Sequence, residues 1–141
     1  MLSPQHSPAR RPRVLLVDDH DDTREMYAQF FTAMSGLDVS ECAASENAFA
    51  VILETQPDVV VTDYVMPTLD GGELCRQLKA HPDTRRIPVV MLTGDANVLV
   101  SETLRETCAL VLMKPCGPDD LASHIRTVIA QGERATAPSA E

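Results

Sequence analysis

Short apolar runs that stop abruptly on a polar residue recur through this chain, and between them the apolar spacing changes from consecutive to helical. A strand covered on both faces reads as an unbroken, β-branched run, whereas an amphipathic helix places its apolar residues three and four apart. Val14-Leu15-Leu16-Val17, Val59-Val60-Val61 and Val89-Val90-Met91-Leu92 fit the first pattern, with weaker strands expected over 38–43 and 109–113. The stripe Met26, Tyr27, Phe30, Phe31 and Met34 fits the second; it opens at Asp21 or Asp22 and stops at Gly36. Ser45 reads as the N-cap of a helix carrying Phe49, Ile52 and Leu53, ended by Pro57. Further helices are expected around Leu74 and Leu78, across 95–106, and from Pro118 with Leu121, Ile125, Val128 and Ile129 on one side.

Five strands alternating with five helices predict an α/β fold: a parallel sheet, doubly wound as (βα)5, with right-handed crossovers. So few strands favour the flavodoxin-like order 2-1-3-4-5 over a six-stranded dinucleotide fold, and neither GxGxxG nor GxxxxGK[ST] occurs. The 141 residues suit one domain, read as a folded unit over 13–131 between a flexible leader, 1–12, and a flexible tail, 132–141.

With 21 acidic against 12 basic side chains and a net charge of −9, the chain is a poor match for the phosphate backbone, so no direct DNA binding is expected. No stretch approaches the roughly 18 to 20 apolar residues of a membrane helix, so no membrane insertion and a cytoplasmic location are expected. Cys42, Cys75, Cys108 and Cys116 are scattered, with no CxxC pair and no His at ligand spacing, and read as buried or indifferent thiols.

In a sheet of this kind ligands gather beyond the carboxyl ends of the strands. The first strand delivers Asp18 and Asp19 there, the third Asp63, the fourth Thr93 and the fifth Lys114. Each has an ordinary use alone, as a cap, a turn residue or a solvated charge. Together, three carboxylates would repel one another unless a cation neutralised them, and an oxygen-only set describes magnesium rather than zinc. Lys114 and Thr93 would suit an anion bound beside it, with a phosphoryl group the obvious candidate.

The segments VLLVDD, VVVTDYVMPTLDGGEL, VVMLTGD and VLMKP, in this order, resemble the receiver domain of two-component response regulators over roughly residues 13–131. The resemblance implies a phosphorylation-dependent signalling switch in a phosphorelay. In it Asp63 is the phosphoacceptor, and a sensor histidine kinase or histidine phosphotransfer protein is the phosphohistidine donor. It also implies that Asp18, Asp19, Asp63 and the backbone carbonyl of Val65 hold Mg2+, and that Thr93 and Lys114 contact the phosphoryl oxygens. Such a phosphoprotein is no enzyme beyond self-phosphotransfer and slow self-dephosphorylation. About ten residues follow Gln131, so a stand-alone receiver is expected, with output through an unidentified downstream protein.

The sequence departs from the family at Val111, where a switching Tyr or Phe is usual, and at Val65, where some members carry a polar side chain. Cys108 and Cys116 also replace common family residues, and a redox role beside Lys114 competes there with simple packing. Other readings are a phosphorylation-independent pseudo-receiver scaffold, motivated by Val111, and a magnesium-dependent Asp-nucleophile phosphatase or phosphotransferase. Enzymes of the latter kind usually carry a second Asp where Val65 stands. A flavin carrier would need a Ser/Thr-rich phosphate loop after the first strand, which is missing.

Overall fold

The computed structural model describes residues 10–136. Five strands, β1 (Arg13–Val17), β2 (Asp38–Cys42), β3 (Val59–Asp63), β4 (Val89–Thr93) and β5 (Leu110–Met113), form one parallel sheet in the order β2-β1-β3-β4-β5. The helices are α1 (Asp21–Met34), α2 (Ser45–Thr55), α3 (Gly71–Ala80), α4 (Ala96–Leu99), α5 (Glu102–Thr107) and α6 (Pro118–Thr136). The order and the two-sided cover are those expected from the sequence.

Alternation along the central strands divides the core in two. Leu15, Val17, Val60, Val89 and Met91 face Ala48, Ile52, Leu74, Cys75, Leu78 and Leu104 of α2, α3 and α5. Val14, Leu16, Val59, Val61, Val90 and Leu92 face Tyr27, Ala28 and Phe31 of α1 and Leu121, Ile125 and Val128 of α6. All residues of β3 and β4 are buried, which is why these strands read as unbroken Val-rich runs. Strand β2, at one edge, exposes Asp38, Ser40 and Glu41, which explains its weak sequence signal.

Three local expectations are corrected. The helix expected over 95–106 is two short helices, because Asp95 and Ser101 each cap a separate start: their side chains accept the N–H groups of Asn97 and Leu104. Ser45 is the first residue of α2 rather than its cap, which is Ala44; the Ser45 hydroxyl instead donates to the carbonyl of Pro67, 3.0 Å away, tying α2 to the loop after β3. Helix α6 runs through Gly132 to Thr136, past the boundary set at Gln131; one glycine inside a helix costs only about 1 kcal/mol relative to Ala. The leader up to residue 9 and the tail from residue 137 lie outside the described residues. Among the described residues no helix is long and apolar enough to cross a membrane.

Candidate functional site

Parallel registration carries the strands out of the same edge of the sheet. Val17 lies beside Thr62, and Asp63 beside Leu92, so the chain just after β1 and the last residue of β3 become neighbours. Asp18 is buried, Asp19 half-buried, and Asp63 is only 2% exposed. Ligand atoms of Asp18, Asp19, Asp63 and also His20 all lie within 4.8 Å of one another.

Lys114 follows β5 and reaches across the edge, placing its Nζ 2.8 Å from Asp63 Oδ1 in an ion pair, with the lysine side chain 39% exposed. Its backbone N–H donates to the Thr93 carbonyl at 2.7 Å, so the end of β4 sets the height of the lysine. The Lys114–Pro115 peptide is cis. Burial pushes the Asp63 carboxyl up to about 6; the Lys114 ammonium pulls it back, and the Asp18 carboxylate adds to the rise.

Thr93 is buried and its Oγ1 accepts the Asp95 N–H at 3.0 Å, which leaves the hydroxyl hydrogen free to point elsewhere. Beside it, a Cβ on Gly94 would meet nothing within 4 Å, so this side of the site has room. Gly71 is glycine for the opposite reason: a Cβ there would lie 2.5 Å from the Asp63 carbonyl and 2.6 Å from Met91 Sδ. The constraint there is the close approach of α3 to the end of β3; the left-handed residue of this loop is Thr68, with φ 72°. Val65 is 73% exposed, and Val111 is half-buried, packed against the core face that also holds Met91.

Sequence reasoning missed two residues. His20 donates its backbone N–H to Asp18 Oδ1 at 2.8 Å, and its ring Nδ1 stands 3.3 Å from that oxygen and 3.5 Å from Asp19 Oδ1. The turn after β1 folds this ring back onto its own aspartates, an approach that spacing along the chain does not show. Arg24 is buried on α1, donating to the Asp18 carbonyl at 2.9 Å and to Glu41 at 2.9 Å, and pairing with Asp21 at 2.8 Å. It fixes the backbone from which Asp18 projects. The signal available was a lone arginine on the otherwise apolar side of the first helical stripe.

The cluster suits a divalent cation. Asp19 Oδ1 and both carboxylate oxygens of Asp63 are buried without a hydrogen-bond partner, the Lys114 contact being an ion pair rather than an oriented hydrogen bond. Unsatisfied anionic oxygens at this depth are costly unless a positive charge meets them.

Comparison with known proteins agrees with this geometry. Residues 14–126 match the family described as the response regulator receiver domain. The transcriptional regulatory protein AfsQ1 of Streptomyces coelicolor is 31% identical over 132 residues, which cover 92% of this chain and 56% of that protein. The phosphate regulon transcriptional regulatory protein PhoB of Pseudomonas aeruginosa is 32% identical over 118 residues, covering 82% of this chain and 51% of its own length. The chain thus spans about half the length of the curated relatives it matches. Among solved structures, a response regulator receiver domain protein from Clostridium thermocellum superposes with a TM-score of 0.79 at 26% identity, covering 89% of this chain and 99% of that one. The signal receiver domain of a histidine kinase from Syntrophus aciditrophicus gives 0.77 at 29% identity, covering 92% and 99%. Members of this family are signalling domains rather than classical enzymes, and they bind Mg2+ in an acidic pocket like the Asp cluster found here. From its four strand-end segments, its β2-β1-β3-β4-β5 sheet and these matches, the chain belongs to the response regulator receiver domain family.

Proposed function

We propose that this chain is a phosphorylation-dependent switch in which Asp63 accepts a phosphoryl group from a phosphohistidine on a sensor histidine kinase or a histidine phosphotransfer protein. The supporting observation is the setting of Asp63: buried at the carboxyl end of β3, 2.8 Å from Lys114 Nζ, with Asp18 and Asp19 beside it. Mg2+ would be held by the carboxylates of Asp18, Asp19 and Asp63 and by the backbone carbonyl of Val65, and would neutralise the charge that donor and acceptor bring together.

The chain's own groups supply the rest. A carboxylate oxygen of Asp63 forms the new P–O bond as the P–N bond to the donor imidazole breaks, giving an acyl phosphate. Such a transfer proceeds through a loose transition state that needs positioning and charge stabilisation more than covalent help. Lys114 Nζ, on an exposed stem, can follow the charge from the carboxylate to the phosphoryl oxygens. Thr93, its oxygen engaged by the Asp95 N–H, presents its hydrogen as a donor, and the open space at Gly94 admits the group. At Val65 an apolar side chain cannot orient an attacking water, so self-dephosphorylation is slow. Output passes to a downstream protein rather than to DNA directly, in keeping with the acidic surface charge.

The scaffold reading draws on one observation: Val111 stays packed against the core and lacks a ring that could swing between buried and exposed positions. Intact mass after incubation with acetyl phosphate and Mg2+ separates the two. The switch predicts one added phosphoryl group, lost without Mg2+ and in Asp63→Asn; a scaffold gains none from either acetyl phosphate or a kinase donor.

A further inference from the structure

The two thiols that the site does not use are in contact with each other. Cys75 lies on α3, 1% exposed, and Cys108 closes α5 as its C-cap, 7% exposed; their sulfurs are 3.2 Å apart. They are separated by 33 positions in the chain, and the contact bridges two elements of the same core face, which also holds Leu74, Leu78 and Leu104. Cys75 Sγ has a second, longer contact with the Thr107 carbonyl at 3.8 Å. The pair's surroundings are not sealed: Cys108, together with Leu99, Val100, Arg105 and Val111, lines an open groove of about 520 Å³ between α4, α5 and β5.

We infer that Cys75 and Cys108 are a redox modification site, forming a reversible intrachain disulfide when the domain meets hydrogen peroxide. The sulfurs need to close by only about 1 Å to reach a disulfide bond length. The earlier idea of a redox role beside Lys114 is thereby relocated: the partner of Cys108 is a second thiol, and the lysine that bears on both sulfurs is Lys79.

Hydrogen peroxide enters by the groove and meets Cys108 first. The Cys108 sulfur attacks one peroxide oxygen, the O–O bond breaks, and the departing oxygen takes the Cys108 thiol proton and leaves as water. The 3.2 Å contact places the Cys75 sulfur beside the new sulfenic sulfur. Cys75 then attacks the sulfenic sulfur, the second water leaves, and both thiols have been oxidised by two electrons in all while one peroxide has become two waters. The bond ties α3, which starts against Asp63, to the turn before β5, the strand that leads to Lys114.

The test treats the full chain with stoichiometric hydrogen peroxide, blocks free thiols under denaturing conditions, and reads intact mass and peptide linkage. Expected is a loss of about 2 Da, a Cys75–Cys108 linked peptide pair, and full reversal by dithiothreitol. Cys42→Ala and Cys116→Ala keep this product, while Cys75→Ala and Cys108→Ala lose it. Linkage through Cys42 or Cys116, dimers joined between chains, or a wild type that only gains oxygen would each overturn the inference. The linkage map is read on the wild type, so it stands even where a cysteine variant fails to fold.

Discussion

Asp63 is the residue on which the account turns, because its burial sets two properties at once. Its carboxyl is pushed up to about 6, above the unfolded value of about 3.9, so the folded chain binds a proton that the unfolded chain has already released. Stability from this group is therefore full below pH 4 and is lost as the pH rises from about 4 to 6, by up to about 3 kcal/mol. Asp63→Asn carries no such titration: in chelator-treated protein, the difference in unfolding free energy between variant and wild type grows across that window. A flat difference would mean that Asp63 is not destabilised by its setting. Removing Lys114 takes away the ammonium 2.8 Å from Asp63, so Lys114→Ala moves the Asp63 titration upward and shifts the pH profile of phosphoryl uptake the same way. Carboxylate chemical shifts across a pH series check this, and an unmoved or lowered titration contradicts it. Gly71→Ala forces a methyl against the Asp63 carbonyl and Met91, costs about 1–3 kcal/mol in thermal unfolding, and disturbs phosphoryl uptake through the end of β3.

Among the elements, the buried faces carry stability and the strand ends carry the site. Phe31 is fully buried between α1 and the sheet, stacked on Tyr27 with ring centroids 5.7 Å apart. Phe31→Ala is expected to cost about 3–5 kcal/mol in denaturant unfolding without altering which residue is phosphorylated. Tyr27 in turn donates its hydroxyl to the Cys116 carbonyl at 2.6 Å, so α1 braces the loop that follows Lys114. What the sequence made legible follows from these faces: β3 and β4 are buried on both sides and so read clearly, as did the polar residues Asp63 and Thr93 that end them. Asp18 and Asp19 could be read for the same reason, since they follow the buried β1, whereas Lys114 follows the half-buried β5 and is read from its VLMKP segment. The division of α4 from α5 could not, since Asp95 and Ser101 fit equally well inside one polar-faced helix until their caps are seen. His20, Arg24 and the Cys75–Cys108 contact were hidden because each depends on a turn or a tertiary approach, which leaves no period in the chain.

For the molecule as a whole, one sheet edge gathers groups from four strand ends, while α1 and α6 on one face and α2 to α5 on the other hold that edge in register. Under the proposed reading the folded state alone brings the Asp18, Asp19 and Asp63 carboxylates together for Mg2+, and mass action then predicts a gain of about 2.7 kcal/mol at a concentration one hundred times Kd. Thermal unfolding with and without Mg2+ should show this gain in wild type and a much smaller one in Asp18→Asn; equal gains would place the cation elsewhere. The central claim, that Asp63 is the phosphoryl acceptor, is tested most directly by borohydride reduction after treatment with acetyl phosphate and Mg2+. Borohydride converts an aspartyl phosphate, and no free carboxylate, to homoserine. Peptide mapping should find homoserine at position 63 alone; homoserine at another aspartate, or none in protein that has gained a phosphoryl group, would contradict the account.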